Sequence, residues 1–548
     1  MIAVRKLLFA IIFLSLVSAG CAFGSAANVY ITQNGSPSGS CTSNVQTPAF
    51  FNNSSNWGSG ASQIGPGTKV LLCGTLTFAT GSSGLTVQGN GTSTNGITIA
   101  FDTGAILQSP AFGGFGSSYG AGIVINGFSY ITVDGQNTGT IQNTLNGSPG
   151  QTCLSAACSV KQSSLGLYIH KTTGVEVKNL TVRNVYMDKN AEQSNAAFYS
   201  ADLYTDGPNS SLTIDGNTLN DAHVGAWISF DNGSTTANVF NNTIAHHAWQ
   251  ISAANGSSSS SSANINIYSN TISDYSDWNA GGDGSFHTDG IIDYTASGAP
   301  MFNPQIYDNY FYGDLDGGTG AGTAHIDCGT TNKSSSCTVF NNVVDMSGST
   351  HCAAAIWIEG VQGQIYNNTL IGPSKCSTGA SYGVVFQGTE NTLVNNIISS
   401  VTYFYGDPGP YGNVATEIAA SDHNIFYNCL GGNSCWAFGQ GNWSTLAAWS
   451  AAQNKDKSSS PANPLLTASY TLGTGSPAIG LGDDMDSVLG LDPCCKSLTP
   501  VQANIGVNAL AYDKTLVART TSGSWNSGAY EGAGSALAPP TGLVATVH

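Results

Sequence analysis

One short pattern of apolar and polar positions recurs along the chain. Each copy is an alternating segment that carries an asparagine, followed directly by further apolar positions. The copies are LTIDGNTL (212–219), VFNNTI (239–244), IYSNTI (267–272), IYDNYF (306–311), VFNNVV (339–344), IYNNTL (365–370) and LVNNII (393–398). Alternation with a period of two is typical of β-strands and differs from the period of a helix. The pattern therefore predicts a series of short strands.

The spacing of the copies predicts how these strands are arranged. Successive asparagines lie between 25 and 39 residues apart, at Asn217, Asn242, Asn270, Asn309, Asn342, Asn368 and Asn396. Repeats of this length indicate a solenoid, in which each repeat buries its apolar face against its neighbours. Asparagine suits tight turns, and its amide both donates and accepts hydrogen bonds. Stacked about 4.8 Å apart, these amides are expected to form an internal asparagine ladder.

In these features the chain resembles the right-handed parallel β-helix repeat superfamily, which includes pectate lyases and polygalacturonases. The repeats that carry the resemblance run from about Gly122 to Ser400. The opening segments VYITQNGSPSGSC (29–41) and GPGTKVLLCGTLTF (65–78) resemble the usual start of secreted members. TGSPAIGLGD (474–483), NIGVNAL (504–510) and SGAYEG (527–532) resemble their usual end. The resemblance implies an all-β fold, a right-handed parallel β-helix or β-solenoid, and leaves the activity open because one fold hosts many chemistries.

The chain divides into five segments by composition and repeat strength. Residues 1–27 are predicted to be a signal peptide, 28–121 an N-terminal cap with the first coils, and 122–400 the β-helix repeats. Residues 401–535 form a closing region, and 536–548 a linker-like tail. The apolar run near the N-terminus is too short to span a membrane. A lipoprotein with a lipidated Cys21 is the alternative to simple secretion, and both place the protein outside the cell or on its surface.

The cysteines fit an exported protein. There are 13, and removing Cys21 leaves an even number that falls into pairs close in sequence. The predicted pairs are Cys41/Cys73, Cys153/Cys158, Cys328/Cys337, Cys352/Cys376, Cys429/Cys435 and Cys494/Cys495. Local pairing favours disulfides in an oxidising compartment over a zinc site.

Charge excludes several partners. Charged residues make up only 9% of the chain, and the formal net charge is −17. An acidic protein with few arginines is a poor match for nucleic acid, and it matches polyuronates only if cations bridge the two. Since no phosphate-binding glycine loop is found, a nucleotide cofactor is not expected.

A column of acidic side chains is the sharpest candidate site. Counting from the ladder asparagines aligns GIID (290–293), AHID (324–327), IWIE (356–359) and VVFQ (384–387). This alignment predicts an inward stack of Ile292, Ile326, Ile358 and Phe386, and an outward column of Asp293, Asp327, Glu359 and Gln387. Ile291, His325, Trp357 and Val385 are predicted to face outward as well, whereas Trp227 and Trp249 are expected to fill the interior.

Such a column has the chemistry of a glycosidase. Carboxylates on adjacent strands lie about 4.8 Å apart and those two strands apart about 9.6 Å, which brackets the separations used for retaining and inverting hydrolysis. Asp293, Asp327 and Glu359 are the acid and base candidates, and His325 can tune their ionisation. Trp357, Tyr294 and Gln387 are candidates for substrate binding. The ordinary alternative is a solvated acidic face.

The turn before the column adds two further candidates. His287-Thr288-Asp289-Gly290 resembles the Asn-Thr-Asp segment of polygalacturonases, in which the aspartate is catalytic, so the resemblance implies a catalytic role for Asp289. His287 beside it is a further candidate. The paired aspartates, Gly-His-Gly and Arg-x-Lys of that family have no counterpart here.

Two other functions stay open. Polysaccharide lyases of the superfamily generally use a lysine or arginine base and often calcium, for which Asp289, Asp293, Asp314 and Asp316 are oxygen donors. Arg183, Lys189 and Lys333 lie outside the acidic column, which favours hydrolysis, with no cofactor required. The other alternative is a non-catalytic surface, adhesion or structural protein. A monomer that binds an extracellular polysaccharide is the expectation.

Overall fold

A computed structural model describes residues 28–115, 119–145, 163–186, 200–255, 261–275, 287–295, 304–315, 322–330, 336–350, 352–373, 379–407, 412–485, 510–520 and 523–532. The chain winds in stacked coils, and its strands pair in three columns, here called the first, second and third sheets. Two long strands make the first and second sheets continuous. By its own strand pairing the protein is an all-β parallel β-helix, as the sequence predicts.

The first sheet is the one on which the candidate site lies. Its strands are Leu85–Thr86, Ile123–Asn126, Ser164–Thr173, Ser200–Asp215, Val224–Ser229, Trp249–Asn255, Thr288–Thr295, Gly322–Thr330, Ala354–Glu359, Tyr382–Gln387, Tyr403–Gly406 and Trp436–Phe438. Strands Ser164–Thr173 and Ser200–Asp215 continue into the second sheet. The last strand pairs antiparallel with Gly441–Trp443.

The second and third sheets complete each coil. The second contains Val29–Ile31, Val45–Gln46, Lys69–Leu72, Ile97–Phe101, Ile131–Asp134, Glu176–Lys178, Thr235–Phe240, Ala263–Tyr268, Gln305–Tyr307, Ser336–Phe340, Gln362–Tyr366, Asn391–Val394 and Ile418–Asp422. The third contains Thr75–Thr77, Ile106–Ser109, Thr140–Asn143, Thr181–Arg183, Thr218–Asn220, Thr243–Ala245, Thr271–Ser273, Tyr310–Tyr312, Val343–Asp345, Thr369–Ile371, Ile397–Ser399 and Ile425–Tyr427. Short helices occur at Pro48–Phe51, Ser54–Asn56, Val414–Glu417 and Leu446–Gln453.

The turn between the second and third sheets carries the repeated asparagines. From Asn217 to Asn368, the side-chain amide of each donates to Oδ1 of the next at 3.0 Å. Asn396 continues the series to Asn424 at 3.1 Å. The residue before each of these asparagines has a left-handed backbone, for example Asn341 with φ of 54°. This turn holds the coils in register, because each buried amide satisfies its neighbour.

The first sheet has an irregular alternation that moves its side chains. Ala355 and Ile356 both contribute to the apolar interior, whereas Ala354 and Trp357 belong to a cluster on the outer face. Two consecutive inward positions therefore precede the regular alternation of each strand. Beyond them, Ile358 faces inward and Glu359 is exposed.

The predicted alignment of the acidic column is wrong at two of its four positions. Asp327 pairs with Ile292 and Trp357, and Asp293 pairs with Cys328. Only Glu359 and Gln387 align as predicted, together with the buried pair Ile358 and Phe386. Ile291 is buried in the core in line with Ile326, and it is Ile292 that faces outward. Counting from the ladder asparagine fails because the intervening connections differ in length.

Disulfides and a C-terminal segment close the structure. The predicted bonds Cys41–Cys73, Cys328–Cys337 and Cys429–Cys435 are confirmed, and Cys352 is disulfide-bonded. The predicted pairs Cys153/Cys158 and Cys494/Cys495, together with Cys376 and Cys21, lie outside the described residues. Within the part of the chain that the structure describes, no helix has the length and apolar character needed to cross a membrane.

Residues 478–485, 510–520 and 523–532, here called the C-terminal strap, cover part of the second sheet. Met485, Leu510 and Trp525 pack against Tyr307 and Phe340 on its outer face. The strap also accepts hydrogen bonds from asparagines in the turns: Asn341 donates to Tyr512 O at 2.8 Å, Asn367 to Asn526 O at 3.0 Å, and Asn395 to Asp483 O at 2.9 Å.

Candidate functional site

Four ionisable residues meet on the outer face of the first sheet. They are His287, Asp289, Asp327 and Glu359, here called the acid cluster. Asp289, Asp327 and Glu359 lie on the adjacent strands Thr288–Thr295, Gly322–Thr330 and Ala354–Glu359, and His287 directly precedes the first of these. One ligand atom each from His287, Asp289 and Asp327 lies within 4.8 Å of the others. These three side chains offer the nitrogen and oxygen donors that could hold a divalent cation.

His287 and Asp289 form an ion pair at the edge of the cluster. Nδ1 of His287 lies 2.5 Å from Oδ2 of Asp289, whose Oδ1 accepts from the Ala324 backbone N–H at 3.3 Å. Trp249 donates through Nε1 to the His287 carbonyl at 3.0 Å. Burial lowers the pKa of His287, but the negative charges of Asp289 and then of Asp327 and Glu359 outweigh it and raise the pKa to about 9. The imidazole is therefore a cation at neutral pH.

Asp327 is the buried carboxyl of the cluster. It is 6% exposed, and its Oδ1 has no hydrogen-bond partner among the described residues. Burial raises its pKa well above the usual value, the charges of Asp289 and Glu359 act in the same direction, and His287 opposes them. A carboxyl in such surroundings keeps its proton at a pH where an exposed one is ionised.

Gly329 leaves a gap between Asp327 and Glu359. A Cβ atom at this glycine would lie 3.5 Å from Oδ1 of Asp327 and 3.9 Å from Oε2 of Glu359. Glu359 is exposed, whereas Asp327 is buried. The two carboxylates thus border the same position and occupy different environments, one buried and one exposed.

Partly exposed aromatic rings lie on both sides of the acid cluster. Trp227 and Trp249 precede it along the sheet, with their ring centres 6.4 Å apart. Trp357, Tyr382 and Tyr403 follow it, and the two tyrosine rings are 5.0 Å apart. The expectation that Trp227 and Trp249 fill the interior is wrong, since both lie in the outer aromatic cluster. Trp357 and Val385 do face outward, as predicted.

Two predicted site residues point into the β-helix instead. Asp293 is 3% exposed, aligned with the core residues Ala253 and Cys328. Burial raises its pKa well above the usual value. His325 is fully buried, its Nδ1 lies 2.8 Å from the Tyr275 hydroxyl, and burial lowers its pKa to about 3. The predicted outward orientation of both residues is wrong, because the strand carries an extra inward position.

The remaining candidates are spread around the cluster. Tyr294 is 43% exposed and shares an outer row with Gly329, Glu359 and Gln387. Asp314 accepts a hydrogen bond from Thr350 at 2.6 Å, and Asp316 lies outside the described residues. The proposed calcium donors do not come together as a set, because Asp289 lies on the outer face and Asp293 in the interior.

Sequence reasoning missed Gly329, although it lies between the two carboxylates. No local pattern marks it, since one glycine among 68 carries no signal by itself. Its importance depends on the register of two neighbouring strands. Only the strand pairing reveals that Gly329 aligns with Glu359 and adjoins Asp327.

Solved structures that are similar to this chain share little of its sequence, and they carry no argument about its activity. No family model and no curated protein matches this chain. Among solved structures, pectate lyase Pel9A is 13% identical, with 93% of this chain and 98% of that chain covered and a TM-score of 0.43. The PL6 family alginate lyase AlyGC is 11% identical, covering 68% of this chain, with a TM-score of 0.44. The match spans 46% of that lyase, less than half its length.

A GH136 lacto-N-biosidase from Eubacterium ramulus is also similar in structure. It is 11% identical, with 68% of this chain and 64% of that chain covered and a TM-score of 0.40. The activities in these names are those of the other proteins. The class defined by this chain's own strand pairing and side chains is a parallel β-helix protein with a carboxylate cluster on the outer face of its first sheet.

Proposed function

We propose that the protein binds an extracellular polysaccharide along the outer face of the first sheet and hydrolyses it at the acid cluster. The observation that carries this proposal is the pairing of a buried and an exposed carboxyl across Gly329. Oδ1 of Asp327 lacks a partner among the residues described, and Oε2 of Glu359 borders the same gap. Buried polar groups usually have a partner, so one without it marks a place for a substrate atom.

The two carboxyls divide the chemistry according to their surroundings. Asp327, held protonated by burial, donates its proton to the glycosidic oxygen as the bond from that oxygen to the anomeric carbon breaks. Glu359 acts at the anomeric carbon, either by taking a proton from the attacking water or by attacking first and being released by water. Either route adds one water per bond cleaved, and the anomeric configuration of the product distinguishes them.

The other residues of the face support binding. The Trp249 and Trp357 rings lie next to Asp289 and Asp327 in the sheet and offer apolar surfaces for sugar rings. His287, cationic at neutral pH, lies beside both aspartates and can hold a sugar oxygen. Tyr294 extends the same row into solvent.

Product mass spectrometry after incubation with neutral and acidic polysaccharides, with and without calcium, tests the proposal. Oligomers that carry one added water per cleavage are expected. Unsaturated oligomers without that water would instead identify a lyase, for which Lys189 and Lys333 become the candidates to test. If no polymer in the panel is cut, the protein binds without catalysis or serves as a structural rod.

A further inference from the structure

A second polar pocket lies on the same outer face, five strands from Glu359 along its row. Asp206 occupies the position equivalent to Glu359, in the row His170, Asp206, Ser229, Ala254, Tyr294, Gly329, Glu359. Here the Asp206 pocket means Tyr119, His170, Asp206, Asp231 and Asn232. At the strand spacing of a sheet, about 4.8 Å, five steps separate it from Glu359 by roughly 24 Å.

Two carboxylate oxygens in this pocket lack partners. Asp206 is 1% exposed; its Oδ2 accepts from Asn232 Nδ2 at 2.8 Å, and its Oδ1 has no hydrogen bond to any described residue. Oδ1 of Asp231 is buried and equally without a donor in the described structure. His170 places Nδ1 3.0 Å from the Asp206 carbonyl oxygen and 3.7 Å from Oδ2. A buried carboxylate oxygen without a donor is costly, so the pocket favours a ligand that donates.

Aromatic rings lie beside the Asp206 pocket, on its own strand and on the side away from the acid cluster. Tyr119 stacks on Tyr168 with ring centres 4.5 Å apart, and Tyr204 lies 5.8 Å from both. Burial raises the pKa of Tyr119, and the charges of Asp206 and Asp231 act in the same direction. Two acceptors beside aromatic rings suit a positively charged donor with an apolar body.

Small side chains lie between the Asp206 pocket and the acid cluster on the outer face, and two of them, Ser229 and Ser252, are buried. Ser229, Ser252 and Ala254 occupy the intervening outward positions. Tyr294 and Gly329 then lead to Glu359. A polymer lying along this row would therefore present one unit to Asp206 while another lies at the acid cluster.

We propose that the Asp206 pocket binds the protonated amino group of an amino sugar, so that the substrate class is a polysaccharide with free amino groups. This inference rests on the proposed function, since it assumes that a polysaccharide binds along the first sheet. It adds the chemical group that binds at Asp206. An ammonium group supplies several N–H donors, one of which can satisfy the unpartnered Oδ1 of Asp206. A metal ion is less suited, because the clusters of three or more metal-type ligands found among the described residues lie elsewhere, at His287 and at Asp293.

Calorimetric binding of matched oligosaccharides tests this assignment. A β-1,4-linked glucosamine hexamer and its N-acetylated counterpart are titrated into Glu359→Gln protein, which is designed to bind without cutting. The deacetylated hexamer is expected to bind at least about tenfold more tightly. Adding Asp206→Asn should remove this preference, whereas Asp215→Asn, on the same strand but in the second sheet, should keep it.

Several outcomes overturn the amino-sugar assignment. These are equal affinity for both hexamers, a preference that survives Asp206→Asn, or equal loss of both affinities in Asp206→Asn and in Asp231→Asn. Binding of calcium alone at Asp206, without discrimination between hexamers, also overturns it. Thermal melting checks that each variant is folded.

The two proposals fail separately. If Glu359→Gln protein binds the glucosamine hexamer through Asp206 but the wild type cuts no polymer, hydrolysis is wrong and the amine site stands. If polymers without amino groups are cut equally well and Asp206→Asn changes nothing, the amine site is wrong and hydrolysis stands.

Discussion

At the residue scale, the acid cluster depends on the different surroundings of two carboxyls. Asp327 faces a neighbour strand on either side and loses its water, whereas Glu359 lies at the exposed end of its strand. Both residues face outward, but Asp327 aligns with the large apolar side chains of Ile292 and Trp357, whereas Glu359 aligns with Gly329 and Gln387. No special backbone conformation is required.

Glu359→Gln should abolish turnover, because the amide keeps the shape and neither attacks carbon nor accepts a proton from water. We expect kcat to fall by at least about 1000-fold, with the melting temperature unchanged. The control is Glu390→Gln, at an exposed glutamate directly before the strand Asn391–Val394 of the second sheet, which accepts a hydrogen bond from Gln362. If Glu359→Gln retains full activity on a polymer that the wild type cuts, the assignment of Glu359 as a catalytic residue is wrong.

Gly329→Ala tests the gap between the carboxyls without removing either of them. The added methyl would sit 3.5 Å from Asp327 and 3.9 Å from Glu359, which is ordinary contact, so folding should be preserved. The methyl group would occupy the position proposed for the substrate oxygen, so kcat/KM should fall at least about tenfold. Gly348→Ala is the matched control, since a Cβ there meets nothing within 4 Å. Full activity of Gly329→Ala would mean that the scissile bond lies elsewhere.

Asp293→Asn tests the interior position of that carboxyl. Burial raises the pKa of Asp293 in the folded state, so the folded protein keeps a proton that the unfolded chain releases above about pH 4. Stability is therefore lost as pH rises from there to the folded-state pKa. At pH 7 the variant should be more stable than wild type, by at least about 1 kcal/mol, and this gain should vanish at pH 3.5.

Denaturant unfolding of Asp293→Asn at both pH values gives that comparison. Enzymatic activity should be retained, because Asp293 faces away from the outer surface. A variant that is less stable at pH 7, or inactive though folded, would place Asp293 in the site after all.

At the element scale, the asparagine turns set the order of the coils. Each buried amide forms hydrogen bonds to the coils on both sides, so one side chain connects three successive turns. Asn342, for example, accepts from Asn309 and donates to Asn368, and also donates to Ile306 O at 2.9 Å. The turn is thus a continuous hydrogen-bonded line across the molecule.

Asn342→Ala should be destabilising by about 3 kcal/mol or more, because it leaves several buried donors and acceptors without partners. Asn266→Ala is the comparison. The side chain of this half-buried residue donates one hydrogen bond to Asn238 Oδ1 at 2.9 Å, and its removal should lower the free energy of unfolding by about 1 kcal/mol or less. Urea unfolding measures both. Equal costs for the two variants would contradict the role assigned to the ladder.

The sequence predicts these turns well and the first sheet less well, for a physical reason. The asparagine turn is local and repeats with the strand period, so LTIDGNTL or VFNNTI can be read directly. The orientation of Asp293, Asp327 and His325 depends on two consecutive inward positions and on connections of unequal length. A slip of one residue reverses the face of a side chain, and nothing in the segments AHID or GIID marks the slip.

At the scale of the whole molecule, the C-terminal strap connects distant parts of the chain. Asn341 and Tyr512, which are 171 residues apart, share a hydrogen bond. Such contacts have no local pattern, which is why the strap was predicted only as a closing region. A solenoid is held mainly by neighbouring coils, so the strap adds a long-range restraint to an otherwise local structure.

Trp525→Ala tests whether the strap is a separate unit. Trp525 is fully buried against the second sheet, and its Nε1 donates to Thr520 O at 2.9 Å. Its truncation should reduce the stability of the strap against unfolding by about 3 kcal/mol, the lower end of the range for a buried tryptophan. Hydrogen-exchange mass spectrometry should then show faster exchange in 510–520 and 523–532, with the asparagine turns from 217 to 270 still protected.

Trp443→Ala is the control for this experiment. Trp443 packs on Trp449 at the end of the first sheet, with ring centres 5.3 Å apart, so its loss should leave exchange in the strap unchanged. If Trp525→Ala instead speeds exchange in the strap and in all the asparagine turns together, the strap and the coils unfold as one unit. The coils would then depend on a long-range contact, and their stability could not be the sum of neighbouring interactions that a solenoid implies.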